Sequence, residues 1–276
     1  MTRNKLAIEI TSSPKVLPDF KECWDNRGLL WMFIRRNIKV RYTQTLLGST
    51  WIVIQPLLLA GMLTVVIGAV LGAPSGGIPY PLFAFTGSAI WNTFQRAFSE
   101  TSISFAGSAN LIQKVYFPRI LVPLSSALTT LVEFVPVFVA LVIATLFYGR
   151  FPGLPILAMP FYLILAFILA FGVGLWVTAL DAIYRDLRLV VPSVLQMMMF
   201  ASPVMYAVTA VPAHWRMLYS LNPLVPILEG FRWSLISGAP TPDINLLLIA
   251  VATSLFMLVT GLGVFTRLEQ FAVDRI

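Results

Sequence analysis

Residues 42–95 read YTQTLLGSTWIVIQPLLLAGMLTVVIGAVLGAPSGGIPYPLFAFTGSAIWNTFQ, without a single Lys, Arg, Asp or Glu. An interval of that length is enough for two passages of a hydrocarbon layer about 30 Å thick, each needing about 20 residues. Its middle, Gly72-Ala73-Pro74-Ser75-Gly76-Gly77-Ile78-Pro79-Tyr80-Pro81, is turn chemistry that no helix runs through. The first span is therefore expected over 49–71, roughly 35 Å at 1.5 Å per residue, and the second over 82–105.

Outward from this pair, further apolar intervals predict spans at 120–148, 154–180, 189–209 and 244–266. Composition agrees. The chain of 276 residues is 58% apolar and 11% charged, with a mean hydropathy of +0.84. A soluble domain carries about 25% charged residues, so a water-soluble globule, a disordered chain and a disulfide-rich secreted domain are excluded. Cys23 is the only cysteine and His214 the only histidine, which leaves no intrachain disulfide, no paired-histidine zinc site and no metal cluster. Residues 1–28 are polar and lack the apolar run of a signal peptide, so the first span is expected to be retained. The expected fold is an all-α integral membrane protein of six transmembrane helices. Its parts are an N-terminal cytoplasmic segment, 1–48, and a six-span domain, 49–276.

The net charge of +7 is concentrated in one place: nine of 19 basic residues lie in the first 41 positions. With that end inside, the inner side adds Lys114, Arg119, Arg185, Arg188, Arg267 and Arg275, and the outer side holds only Arg150, Arg216 and Arg232. The positive-inside rule then places both termini in the cytoplasm. The excess is a topology signal and not a nucleic-acid surface, because no basic stripe interleaved with aromatics lies outside the spans.

Two segments are neither spans nor plain loops. Residues 29–47 set Leu30, Phe33, Ile34 and Ile38 against Arg35, Arg36 and Lys39, the pattern of an amphipathic helix at the inner membrane surface. Gly48-Ser49 offers a break and an N-cap before the first span. Residues 210–241 are apolar but interrupted by Pro212, Pro223, Pro226, Gly230 and Gly238. This reads as short re-entrant helices lining a pore mouth or, alternatively, as an amphipathic hairpin on the surface.

No catalytic constellation and no Walker-type phosphate loop is present. Asp181 and Asp186 sit beside Arg185 and Arg188, which favours a salt-bridged loop. The intramembrane charges are Arg96, Glu100 and Glu133. Arg96 and Glu100, four apart, can pair with each other. Glu133 is either protonated or partnered from another helix. Charges at such depth point to function by default, but no chain of ionisable groups suggests a proton relay. Aromatic residues fall at both interfaces, with Trp24, Trp31, Tyr42 and Trp51 inside and Tyr148, Trp215, Tyr219 and Trp233 outside. Others recur inside spans: Phe83, Trp91, Phe94 and Phe98 on the second, Phe200 and Tyr206 on the fifth. These either pack or form a sugar-stacking stripe.

Five blocks carry a family resemblance. Arg41-Tyr42-Thr43-Gln44-Thr45-Leu46-Leu47-Gly48-Ser49-Thr50-Trp51 with Gln55-Pro56 resembles the start of type-2 ABC exporter permeases for polysaccharides. Asn110–Arg119, Tyr184-Arg185-Asp186, Ser202-Pro203-Val204-Met205-Tyr206 and Asn222-Pro223 with Phe231-Arg232 resemble later segments of that family, in the same order. The resemblance implies a homodimer with a channel between protomers and two copies of a separate ABC ATPase that binds ATP and Mg. This chain itself would bind no cofactor. The substrate implied is a lipid-linked glycan, such as undecaprenyl-linked O-antigen, a capsular chain or a teichoic acid, exported across the bacterial inner membrane. A permease for a small lipid, drug or lipo-oligosaccharide is the alternative within the same class.

Roles follow from the resemblance as expectations. Lys114, Val115, Tyr116, Phe117, Pro118 and Arg119 would form the main coupling segment, with Tyr116 and Phe117 as apolar anchors in an ATPase groove. Tyr184, Arg185 and Asp186 would make a second contact. Arg35, Arg36, Lys39 and Arg41 would attract the lipid pyrophosphate at the substrate's point of access or bind lipid headgroups. Channel lining would include Gln55, Met197, Phe200 and Tyr206, the Met197-Met198-Met199 run supplying a soft surface.

Overall fold

The computed structural model describes residues 20–43, 45–105, 117–181, 183–184 and 186–275. Helix α1 (Phe20–Asp25) leads into α2 (Arg27–Tyr42), the expected amphipathic helix. Phe33 and Ile34 are buried, while Arg35, Arg36 and Lys39 stay exposed. It ends at Tyr42 and not at residue 47: Thr43 still donates its N–H to the Lys39 carbonyl at 2.9 Å, but its own backbone is extended at ψ 135° and leads the chain out of the helix. Gly48 then turns the chain at φ +54°, a conformation that costs glycine little. Ser49 lies inside a single 3-10 turn, Gly48–Thr50, and does not cap the next helix.

Helix α3 (Trp51–Leu63) continues to Val70 as a π-helical stretch, with the Leu71 N–H bonded to the Val66 carbonyl at 3.2 Å. The wider turn sets Gly68 against Tyr80, where a Cβ would meet the ring at 2.7 Å. After the glycine-rich loop come α4 (Tyr80–Ser102), α5 (Leu121–Phe147) and, behind a 3-10 turn over Leu154–Ala158, α6 (Met159–Asp181). The remaining helices are α7 (Leu187–Phe200), α8 (Ala213–Ser220), α9 (Leu224–Leu235) and α10 (Ile244–Arg275). Among the described residues there is no strand.

Among the described residues four segments are long and apolar enough to cross a membrane: Gly48–Val70, Leu121–Phe147, Leu154–Asp181 and Ile244–Leu268. They coincide with the first, third, fourth and sixth expected spans. The second, α4, is 23 residues long, about 34 Å at 1.5 Å per residue. It is less apolar because it lies in the middle of the bundle, packed by α3, α5 and α6, with 16 of its residues buried. Its hydroxyls are satisfied locally or by neighbours. Thr86 donates to the Leu82 carbonyl at 2.9 Å, and Ser88 reaches across to the Pro56 carbonyl of α3 at 3.1 Å. Thr178 of α6 donates to the Thr101 carbonyl at 2.6 Å.

One expectation is corrected here. The fifth span does not run over 189–209 as one helix. α7 stops at Phe200 after 14 residues, about 21 Å, and residues 201–206 turn. Pro203 disfavours helical geometry at Ser202 and cannot donate to the ladder. Of the two readings of Phe83, Trp91, Phe94 and Phe98, packing is the one the structure bears out, and they form no accessible stripe. All four are at most 5% exposed, and they pack in the core.

The bundle's closest helix contact is α6 on α10. A Cβ at Gly172 would lie 2.6 Å from the Leu258 nitrogen, and one at Gly261 would lie 2.4 Å from the Gly172 carbonyl oxygen. Two backbones touch because neither glycine carries a side chain, the small-residue packing that holds helices together in lipid. Trp176 donates to Thr260 across the same seam at 3.1 Å.

Candidate functional site

At the end of the bundle that carries α2, four charged side chains from three helices converge. Arg41, at the end of α2, bridges Glu100 of α4 at 2.6 Å and Glu133 of α5 at 2.9 Å. Arg96, one turn before Glu100, bridges Glu133 at 3.3 Å and also donates to the Gln55 amide oxygen of α3. This corrects the expected Arg96–Glu100 pair. Both side chains turn toward other helices, where Glu133, only 4% exposed, demands compensation that an i,i+4 neighbour could not supply. It also corrects the place of Arg41: its charge is spent inside the bundle on two carboxylates, whereas Arg35, Arg36 and Lys39, like Arg27 at the start of α2, are exposed.

Beside this network opens a cavity of about 380 Å³, lined by Arg41, Tyr42, Thr45, Trp51, Gln55, Arg96 and Glu100. Gln55, expected on a channel wall, is exposed here, and so is Trp51. Thr45, Tyr42 and Trp51 were not read from the sequence as site residues. Their signal was their position in the first resemblance block. Arg96 also borders a smaller, mostly apolar void of about 20 Å³, whose lining includes Ile52, Pro56, Phe134, Val137 and Glu133.

The inner loops differ in what they present. Lys114, Val115 and Tyr116, and Arg185, lie outside the described residues. Phe117 is 7% exposed and meets Phe33 edge-on, ring centroids 5.5 Å apart, in a cluster with Leu121, Phe171 and Phe265. The expectation of Phe117 as an exposed anchor is therefore corrected. It ties the loop to α2, because a ring that finds an apolar pocket within its own chain has no reason to stay in water. Pro118 and Arg119 are half-buried beside it. Tyr184, in contrast, is 63% exposed, and Asp186 next to it is exposed as well. The loop is held by Arg188, which donates to both oxygens of buried Asp181 at 2.8 and 2.7 Å, the salt-bridged arrangement expected there.

At the opposite end the other resemblance blocks meet. Asn222 donates through Nδ2 to the Ala201 carbonyl and the Ser202 hydroxyl, each at 3.0 Å, while its Oδ1 accepts the Leu224 N–H that opens α9. Arg232, 4% exposed, donates to the Val204 carbonyl at 3.0 Å and lies 3.8 Å over the Phe83 ring. Tyr80 donates to the Met205 carbonyl, and the Ala207 N–H returns to Pro74 at 3.1 Å. Gly87 makes room: a Cβ there would strike Arg232 at 2.3 Å. Glycine at 87, asparagine at 222 and arginine at 232 thus exist to hold one turn, 201–207, where α7 ends. Met197 and Phe200 are exposed on α7, and Tyr206 stacks on Tyr219 at 6.3 Å between centroids. Residues 210–241 contain two short helices, α8 and α9, with α9 packed against α4 and α6. Among the described residues no group of His, Cys, Asp and Glu is placed to hold a metal.

Comparison with known proteins agrees with this arrangement. The O-antigen export system permease protein RfbA of Klebsiella pneumoniae is 28% identical over 243 residues, spanning 87% of this chain and 92% of that protein. A protein of the same name from Myxococcus xanthus is 25% identical, covering 91% of this chain and 97% of its own length. The polysialic acid transport protein KpsM of Escherichia coli is 24% identical over 85% of this chain and 91% of its length. The profile of the ABC-2 type transporter family matches residues 28–236, from the start of α2 to the end of α9, taking in both ends of the bundle described above. The chain belongs to the ABC-2 type transporter membrane family.

Proposed function

We propose that this chain is the membrane permease of an ATP-driven exporter that carries a lipid-linked polysaccharide, of the O-antigen or capsular kind, out across the bacterial inner membrane. The observation that carries the reading is similarity along 85% to 91% of the chain to O-antigen export system permeases and to a polysialic acid transport protein. A homodimer encloses the channel, and two copies of an ABC ATPase bind ATP and Mg and drive it. Six crossings are made by α3, α4, α5, α6, α7 with the 201–207 turn, and α10, and both termini are cytoplasmic. Exposed Arg35, Arg36 and Lys39 on α2 attract the pyrophosphate of the lipid carrier. Tyr184 and Asp186 form the ATPase contact that the buried Phe117 cannot. Met197, Phe200, Tyr206 and Gln55 face the passage.

Affinity purification of the tagged chain from gently solubilised native membranes tests this. An ABC ATPase is expected in about equal amount. Tyr184→Ala is expected to weaken its retention about tenfold with permease yield unchanged, the loss typical of an aromatic hot spot of about 1.4 kcal/mol or more. The chain recovered alone, in a preparation where other ABC complexes survive, would remove the transporter reading. Full retention by Tyr184→Ala would remove that residue from the contact.

A further inference from the structure

The cavity beside the Arg41 network has a chemistry that does not match an anion. Two guanidinium groups and two carboxylates are matched there, so the charge in and behind its wall sums to zero. A pyrophosphate entering would have to displace Glu100 from Arg41 at 2.6 Å or sit against an unshielded carboxylate, both unfavourable. A neutral polyhydroxylated ring meets neither obstacle. Its hydroxyls donate to a carboxylate and accept from guanidinium or amide N–H at the same time, without breaking the pairs. The same wall supplies an indole face in Trp51, a carboxamide in Gln55 and a hydroxyl in Thr45. At about 380 Å³ the cavity is at the lower end of small-ligand sites, which run from about 300 to 1,000 Å³. That is room for one or two sugar rings and not for a long chain.

Position supports the same occupant. Arg35 and Arg41 are six residues apart on α2, about 9 Å at 1.5 Å per residue. A carrier whose phosphates lie on the exposed cations of α2 would bring the sugar that follows them to the mouth of the cavity.

We propose that the cavity lined by Trp51, Gln55, Thr45, Arg96 and Glu100 is a sugar subsite that grips the first saccharide of the lipid-linked substrate, so that a glycosylated carrier is distinguished from a bare one. The proposal rests on the export reading above. Purified full-length protein in nanodiscs is offered undecaprenyl pyrophosphate and the same lipid carrying one N-acetylhexosamine, with bound fractions read by native mass spectrometry. The glycosylated lipid is expected to bind about tenfold more tightly, the worth of one stacking face and one or two hydrogen bonds. Trp51→Ala with Gln55→Ala erases the difference and leaves the bare lipid unchanged, while Trp51→Phe restores most of it by keeping an aromatic face. Replacing Arg35, Arg36 and Lys39 together with Gln weakens both lipids alike. Equal binding of the two lipids, or a difference that survives the double substitution, overturns the subsite and leaves the export reading standing. If neither lipid binds at all, the subsite and the export reading both fall.

Discussion

Glu133→Gln lowers the melting temperature of the purified protein by on the order of 10 °C, because removing one partner of a buried ionic cluster costs about 3–5 kcal/mol and each kcal/mol shifts a chain of this size by about 2–4 °C. The carboxylate is 4% exposed and compensates two guanidinium groups, Arg41 at 2.9 Å and Arg96 at 3.3 Å. Glutamine keeps the shape and loses the charge. Arg41 retains Glu100, but Arg96 is left with Gln55 alone. Adding Arg96→Gln to Glu133→Gln therefore recovers part of the loss, since the remaining Arg41 and Glu100 are again matched; contacting residues couple in this way. A melting temperature unmoved by Glu133→Gln would mean that the network is not formed in the folded protein.

The second large effect belongs to the α6–α10 seam. Gly261→Val is expected to cost about 3 kcal/mol or more, beyond the usual range of overpacking, because the clash is with backbone and not with a side chain that can rotate away. A Cβ alone would lie 2.4 Å from the Gly172 carbonyl oxygen. The measurable outcome is a sharp fall in the yield of monodisperse protein after extraction. Gly61→Ala on α3 is the matching control. No atom lies within 4 Å of its added methyl group, so helix propensity alone predicts a gain of about 0.5–1 kcal/mol. Equal behaviour of the two variants would contradict the seam.

The spans were readable because lipid imposes a length on any charge-free interval, and helices 121–147 and 154–181 begin and end within a residue or two of where charges and turn residues put them. The partners inside the membrane were not readable. Arg96 and Glu100 look like a pair on a helical wheel, yet which helix lies beside α4 is a tertiary fact. The carboxylate that claims Arg96 is 37 residues away. The choice between packing and a stripe for the aromatic residues of α4 stayed open for the same reason, although the helix carried a hint in Ala84, Gly87, Ser88, Ala89 and Ala97, small residues suited to an interior position. The early end of α7 was legible in Ser202-Pro203 and was overridden by the apolar run around it. Asn222 and Arg232 stood out as motif residues. What they do, holding the carbonyls of one turn, needed the fold.

The central claim is tested most directly by removing this chain and asking where the polysaccharide goes. In cells lacking the gene, glycan on the surface of intact cells is measured with a binding lectin or antibody and compared with the total released by lysis. Loss of the surface signal with the total retained, and recovery when the gene is returned, is the predicted result. A surface signal that persists, or a total that vanishes with it, would contradict an export role for this permease.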